Sequence, residues 1–284
     1  MNREKSRYLI KFYYIGLKKY YGSQRQKEFL TIEEQILKAL IKRKYIKNGE
    51  DSGFEVASRT DRYVSARGSA FSFLTDKKLI LMEINSALPK EIGLWGYSKV
   101  RKDFSSRFNA KSRQYKYIFP FPLSFLKKEF SFDVDLMRKG LIDFKGRHDF
   151  QNFSKRDPES STSVRDIDNI NYQVINDYII IDIISQGFLR QQIRRMVQKL
   201  MELGKGEISY PQFKNLFDPS EFHSYQPADP HGLILWDVQY EPSISFTIEE
   251  KSKKRMKRYF RQQYFKYNQK ANLFGILKQN DFGQ

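Results

Sequence analysis

Cysteine is absent from the 284 residues, which removes disulfides, thiolate nucleophiles and cysteine-based zinc sites from consideration. Histidine is nearly absent: His148, His223 and His231 are accompanied by neither a His-x-x-x-His pair nor a compact carboxylate cluster, so metal catalysis has little to build on and none is expected. No run approaches the roughly 18 to 20 apolar residues needed to cross a bilayer. Residues 1–19 intersperse Lys and Arg through a short alternating run, whereas a signal peptide keeps its charged and apolar regions apart. A cytoplasmic protein with no membrane contact is the expectation. Acidic residues are scarce beside basic ones, 33 against 51, and the formal charge of +18 gives the surface a positive field that favours a polyanionic partner.

Aromatic residues, by contrast, are plentiful. With 24 Phe and 18 Tyr in a chain that is 40% hydrophobic, there is ample material for one large core or for two modest domains sharing one. Tyr8 to Ile15 is aromatic and β-branched, as a strand should be, and Gly16 to Lys27 is a basic loop. Thr31 can cap a helix, with Glu34 completing a capping box and Ile32, Ile36, Leu37, Leu40 and Ile41 forming the apolar stripe. A strand ending near Ala57 leads into Ser58-Arg59-Thr60-Asp61, and Gly68 to Leu74 leaves that loop as the next strand. Lys78 to Leu88 has a short helical pattern stopped by Pro89.

The polar stretch Arg101 to Arg113 marks a transition between two halves. Arg113 to Phe119 reads as a strand on which Tyr115 and Tyr117 share one face. Asn152 to Ser163, Ser-rich and charged, reads as an exposed loop. Tyr178 to Ile184 is the most hydrophobic strand candidate. After Gly187 a helix is predicted, with Leu189, Ile193, Val197 and Leu200 on one face, Arg190 and Arg194 on the next, and Gly204 and Gly206 at its end. Gly232 to Tyr240 is a last strand. Each half thus reads as strands with crossover helices in an α/β (α+β) fold, divided into residues 1–105, residues 106–246 and an extension, 247–284. Within the extension, Lys251 to Arg261 holds seven Lys or Arg residues and no acid, followed by Tyr264, Phe265, Tyr267 and Phe274. That composition suits phosphate contact with base stacking, and equally a solvated basic helix docked by its aromatics.

The tetrapeptide Ser58-Arg59-Thr60-Asp61 is weak evidence by itself, since neighbouring Arg and Asp residues are commonly a surface ion pair. Its context adds to it. Phe12-Tyr13-Tyr14-Ile15-Gly16 and Tyr21-Gly22-Ser23-Gln24-Arg25-Gln26 precede it, and Val64-Ser65-Ala66 follows. Then come Arg113-Gln114-Tyr115-Lys116-Tyr117, Gly146-Arg147-His148-Asp149-Phe150, Gly187-Phe188-Leu189 with Ile193-Arg194-Arg195-Met196-Val197, and His231-Gly232-Leu233-Ile234-Leu235. In order and spacing, over roughly residues 8 to 240, the sequence resembles the TruA family of transfer RNA pseudouridine synthases, and more closely its archaeal branch.

The resemblance implies that Asp61 is the catalytic aspartate, that Arg59 helps hold the flipped-out nucleotide, that Tyr115 packs against the target base and that Arg194 pairs with the aspartate. It further implies two related lobes joined by a continuous mixed, mainly antiparallel sheet, a homodimer, and the anticodon arm of tRNA, within positions 38 to 40, as substrate. Isomerising uridine breaks the N1 glycosidic bond and joins C5 to the sugar without net redox change or hydrolysis, so no cofactor is required. An ionised Asp61 can attack C1′, add to C6 of the base, or assist deprotonation at C2′ to give a glycal. Without the resemblance, Tyr115 reads as a sheet aromatic and Arg194 as a solvated helix residue; Phe188 and Leu189 read as core in either case. His148 and Asp149 lie outside the catalytic set. One departure concerns Tyr63, which stands where the family usually has glycine, so that a positive φ there would strain or reshape the loop. Two other readings share the charge. A non-catalytic RNA-binding protein leaves the ordered motifs unexplained, and a metal-dependent nuclease needs ligands that the sequence does not cluster.

Overall fold

An aromatic and aliphatic run buried over most of its length forms β1 (Ser6–Tyr14), the central strand of the first lobe. α1 (Ile32–Lys42) follows, its apolar stripe of Ile32, Ile36, Leu37 and Leu40 buried. Thr31 caps it by accepting a hydrogen bond from the Glu34 N–H at 3.3 Å, a contact worth about 1 kcal/mol in such positions. Only half of the expected box closes, because the Glu34 carboxylate pairs with Lys38 one turn on. β2 (Glu55–Val56), β3 (Ser65–Thr75), α2 (Leu81–Asn85) and β4 (Ile92–Val100) complete the lobe. α2 is shorter than the 78–88 pattern suggested. The buried Asn85 side chain bonds both the carbonyl and the N–H of Leu94, which ties the end of the helix to β4.

The computed structural model describes residues 4–157 and 161–279. Its second lobe comprises β5 (Ser112–Ile118), α3 (Leu123–Phe130), α4 (Val134–Asp143), β6 (Gly146–Asp149), β7 (Val164–Ile175), β8 (Tyr178–Ser185), α5 (Gln192–Gly204), α6 (Tyr210–Asn215) and β9 (Leu233–Gln239). Phe144, Phe150, Phe153 and Phe213 pack edge to face in its core, each fully buried. Two expectations change here. Leu189 and Arg190 precede α5, where the Leu189 N–H donates to the Gln192 side chain at 2.8 Å and so opens the helix. The loop from Asn152 is not wholly exposed. Asn152 and Phe153 are buried, and the Asn152 amide donates to the carbonyls of Leu216, Asp218 and Glu221. Residues 158–160 of that loop lie outside the described residues.

The strands form one ten-stranded sheet in the order β10-β4-β1-β3-β9-β5-β8-β7-β6, with β2 also on β3; its outermost member is β10 (Thr247–Ile248). Each lobe sets its first strand between two antiparallel neighbours, β1 between β3 and β4, and β5 between β8 and β9. The lobes meet where β3 and β9 pair in parallel over Ser65↔Ile234 and Ala66↔Leu235. Parallel neighbours begin at the same end, so the loops entering β3 and β9 must lie side by side. The buried Lys11 of β1 locks this junction by donating to the Asp237 carboxylate at 2.5 Å and to the Val238 carbonyl, both on β9. The extension returns to the first lobe as β10 on β4 and then as α7 (Glu250–Leu277). Among the described residues no helix is long and apolar enough to cross a membrane.

Candidate active site

The loop 58–64, which enters β3 at the junction, is held by its backbone and by short side chains. The Thr60 N–H donates to Ser23 Oγ at 2.7 Å, and its carbonyl accepts from the Ser23 N–H at 3.1 Å. Its hydroxyl meets the Tyr14 hydroxyl at 2.7 Å, a buried phenol whose pKa is pushed up by desolvation. Glycine is required where the opening segment presses on this loop. A Cβ at Gly16 would lie 2.3 Å from the Tyr63 backbone, and Gly22, at φ +94°, would place one 2.9 Å from the Thr60 carbonyl.

From the second lobe, Arg113 spans the gap. It donates to Ser58 Oγ at 2.9 Å, to the Ala57 and Arg107 carbonyls at 2.8 Å each, and to the Gln186 carbonyl. Sequence reasoning assigned Arg113 no role. The available signal was its period-2 phase with Tyr115 and Tyr117, since a guanidinium on the face of two buried aromatics has to find acceptors.

Asp61 and Arg194, 133 residues apart in the chain, are brought together: Arg194 Nη1 donates to Asp61 Oδ2 at 2.9 Å. The other edge of the guanidinium donates through Nε to the Ala228 carbonyl at 2.7 Å, while the Ala228 N–H donates back to the Arg194 carbonyl at 3.0 Å. The cation is therefore fixed at two points on a buried helix. Its side chain is 10% exposed, against 33% for that of Asp61. A planar fork held in this way presents one carboxylate oxygen to the protein and leaves the group open to a ligand.

Tyr115 is buried, with its ring edge-on to Phe188 at 5.3 Å. Burial pushes its phenol up to about 12; Arg113 offsets part of that rise and the field of Asp61 adds to it. Arg59 is exposed on the same loop, and its charge acts on Glu33, whose carboxyl burial pushes up and Arg59 pulls back. His148 lies on β6, four strand spacings or roughly 19 Å from β9, packed on Phe217.

Tyr63 does adopt a left-handed backbone, φ +70°, which costs a non-glycine residue about 1 kcal/mol. Its ring stacks on His231, from the loop entering β9, at 4.5 Å. The His231 N–H and ring both contact the Asp229 carboxylate at 2.7 Å. Burial would raise that carboxyl, but the hydrogen bonds from His231 hold it below the usual range. The sequence offered His231 only as a motif member; the parallel junction is what delivers it to the site.

This architecture, two related lobes sharing a mixed and mainly antiparallel sheet, is that of the pseudouridine synthases. A family model described as tRNA pseudouridine synthase matches residues 141–241, which include Arg194 and His231. Proteins named tRNA pseudouridine synthase A match nearly end to end. The one from Methanosphaera stadtmanae is 32% identical over 279 residues, 96% of this chain and 99% of its own. That from Archaeoglobus fulgidus is 30% identical over 275 residues, 96% and 98% of the two chains, and that from Methanothermobacter thermautotrophicus is 34% identical over 246 residues, 87% and 86%. The chain belongs to the tRNA pseudouridine synthase A family, a family of isomerases, on the archaeal side that its motifs indicated.

Proposed function

We propose that this protein isomerises uridine to pseudouridine in the anticodon arm of tRNA, within positions 38 to 40, acting in the cytoplasm as a homodimer with Asp61 as its chemical carboxylate and no cofactor. The observation that carries the reading is the pairing of Asp61 with a buried, doubly held Arg194 at the junction of the lobes 1–105 and 106–246. Arg194 sets a fixed donor and opposite charge against one carboxylate oxygen, so Asp61 is already oriented when substrate excludes water. The N1–C1′ bond breaks, the uracil turns while Tyr115 packs against it, C5 bonds to C1′, and the C5 proton leaves as N1 gains one. Arg59 engages the displaced nucleotide. The balance is redox-neutral, and of the three routes open to the carboxylate the glycal one is favoured. Extruding the base costs a few kcal/mol, least in a loop, and phosphate contacts offset it.

The test is incubation with unmodified tRNA and mapping of pseudouridine at nucleotide resolution, repeated in chelator with monovalent salt or polyamine holding the RNA fold. Conversion confined to the anticodon arm in both conditions is the expected result. Strict restoration by one transition metal, or strand cleavage, counts against the reading.

The extension contributes affinity in this reading. α7 docks by its first turns, where Met256 is buried and Arg255 donates to the Ile92 carbonyl, while Lys254, Lys257, Arg258 and Arg261 remain exposed. Replacing those four with Gln is expected to raise the dissociation constant for tRNA and to flatten the plot of log K against log salt. The slope falls by about 0.9 for each phosphate no longer neutralised, with a smaller effect on the saturating rate. Titrations at several salt concentrations provide the check, and an unchanged slope assigns the helix to another task.

A further inference from the structure

Beside Asp61 the side chains are ordered in a way that neither the loop's own fold nor the isomerisation requires. Phe29 and Tyr21 stack at 4.3 Å with their planes 23° apart. The Arg62 guanidinium sits 3.9 Å above Tyr21 and 4.9 Å from Tyr63. Tyr63 in turn stacks on His231 at 4.5 Å, 29° from parallel. Five planar groups thus form one continuous series of stacked contacts, drawn from the segment ahead of α1, the Asp61 loop and the loop entering β9.

The row is accessible at both ends. Phe29 is 40% exposed, Tyr21 38% and the His231 side chain 63%. Arg62 is held from behind, donating to the Lys18 carbonyl at 2.9 Å, so the row is fixed rather than a chance collapse of surface rings. Tyr63 is the member with no local reason to be a tyrosine, since its left-handed backbone favours glycine. A fixed aromatic and guanidinium row on a strongly cationic protein matches the way unpaired bases are held, by stacking that is indifferent to sequence.

We propose that this row is a base-stacking subsite for the unpaired nucleotide next to the target uridine, with the Tyr63–His231 end as its platform. The inference rests on the reading of Asp61 as the catalytic carboxylate. When the uridine leaves its stack, its neighbour loses a partner; the platform replaces that partner and keeps the strand in register with Asp61. The ligand is single-stranded RNA in a loop. An isolated uridine nucleotide has no neighbouring base to stack and forgoes the contact.

The experiment compares the full-length parent with Tyr63→Gly, Tyr63→Phe and His231→Ala on two tRNAs, one intact and one abasic at the nucleotide beside the target. Direct binding and single-turnover rates are measured across enzyme concentration. Tyr63→Gly and His231→Ala are expected to raise the dissociation constant and the half-saturating concentration about 10- to 100-fold, as loss of one stacked base does. The saturating rate should move less, and Tyr63→Phe should match the parent. The abasic tRNA is expected to weaken binding to the parent by a similar factor and to add little to the defect of Tyr63→Gly.

A purely structural tyrosine gives the opposite pattern. Relief of the left-handed strain would raise the thermal midpoint of Tyr63→Gly while binding to both tRNAs stays at parent values, and that result overturns the proposal. Additive effects of the abasic site and the variant overturn it too. His231→Ala, on a different loop, carries the same expectation if Tyr63→Gly folds poorly. A parent that binds tRNA in this pattern yet isomerises nothing removes the functional reading and leaves the stacking subsite standing.

Discussion

Asp61→Asn is expected to fold, to bind the anticodon arm, and to form essentially no pseudouridine in a single turnover with enzyme in excess, a loss on the order of 10⁴-fold or more. The substitution nearly preserves volume while removing the negative charge and the ready acceptance of a proton. Folding should survive because the loop is positioned by Thr60, Gly22 and Arg113 through backbone and hydroxyl contacts that do not involve the Asp61 carboxylate. The amide oxygen of Asn can still accept from Arg194, so the 2.9 Å contact can persist in a weaker form. Excess enzyme separates failed chemistry from slow product release, and direct binding separates it from failed capture. Release of a label from C5 of uridine, checked by mapping, reports the bond change itself. A folded variant that isomerises the same uridine at nearly the parent rate would remove Asp61 from the chemistry.

Arg194→Ala is the second large effect, about 10²- to 10³-fold in the saturating single-turnover rate, the range seen when one preorganised electrostatic partner is removed. Two groups lose their donor together, the Asp61 carboxylate and the Ala228 carbonyl. Arg194→Lys should restore only part of the rate, because an ammonium cannot span both acceptors as a planar fork does. Arg59→Ala is expected to differ in kind. Arg59 is exposed and proposed to engage the displaced nucleotide, so its loss should appear in productive placement, read as half-saturation, more than in the rate at saturating RNA. Rate curves across RNA concentration distinguish the two, with thermal midpoints as the control for folding. Equal binding defects that saturating RNA fully rescues would contradict the assigned roles.

Much of the fold was legible because its strands are dense in aromatic and β-branched residues and α1 carries an apolar stripe. Ser6–Tyr14, Ser112–Ile118 and Tyr178–Ser185 fall within a residue or two of the segments expected. Misreadings arose where a polar side chain overrode the local pattern, as Asn85 did in shortening α2 and Asn152 in burying the start of an apparently exposed loop. The site was legible in another way. Tyr115 and Arg194 taken singly read as a sheet aromatic and a surface arginine; only the ordered resemblance paired Arg194 with Asp61. Arg113 escaped because its partners are backbone carbonyls and a serine hydroxyl, acceptors that carry no mark in a sequence. Tyr63 stands where glycine is usual, and its φ of +70° lies in the left-handed region that the sequence position implies. Its contact with His231 follows from a parallel pairing of only two residues on each strand, too short a segment to announce itself.

The return of the chain end to β4 has a consequence for synthesis. Thr247 and Ile248 pair with Tyr97 and Gly96, so the outer edge of the first lobe is completed by residues that leave the ribosome after the entire second lobe. Until then β4, paired on one side with β1, presents an open outer edge that invites pairing with another chain. The β10–α7 segment closes that edge, and Arg255 and Ser252 of α7 fasten it to the Ile92 carbonyl and to Asn85. A chain ending before Thr247 would retain Asp61 and Arg194 yet reach the cell with its first lobe open to aggregation.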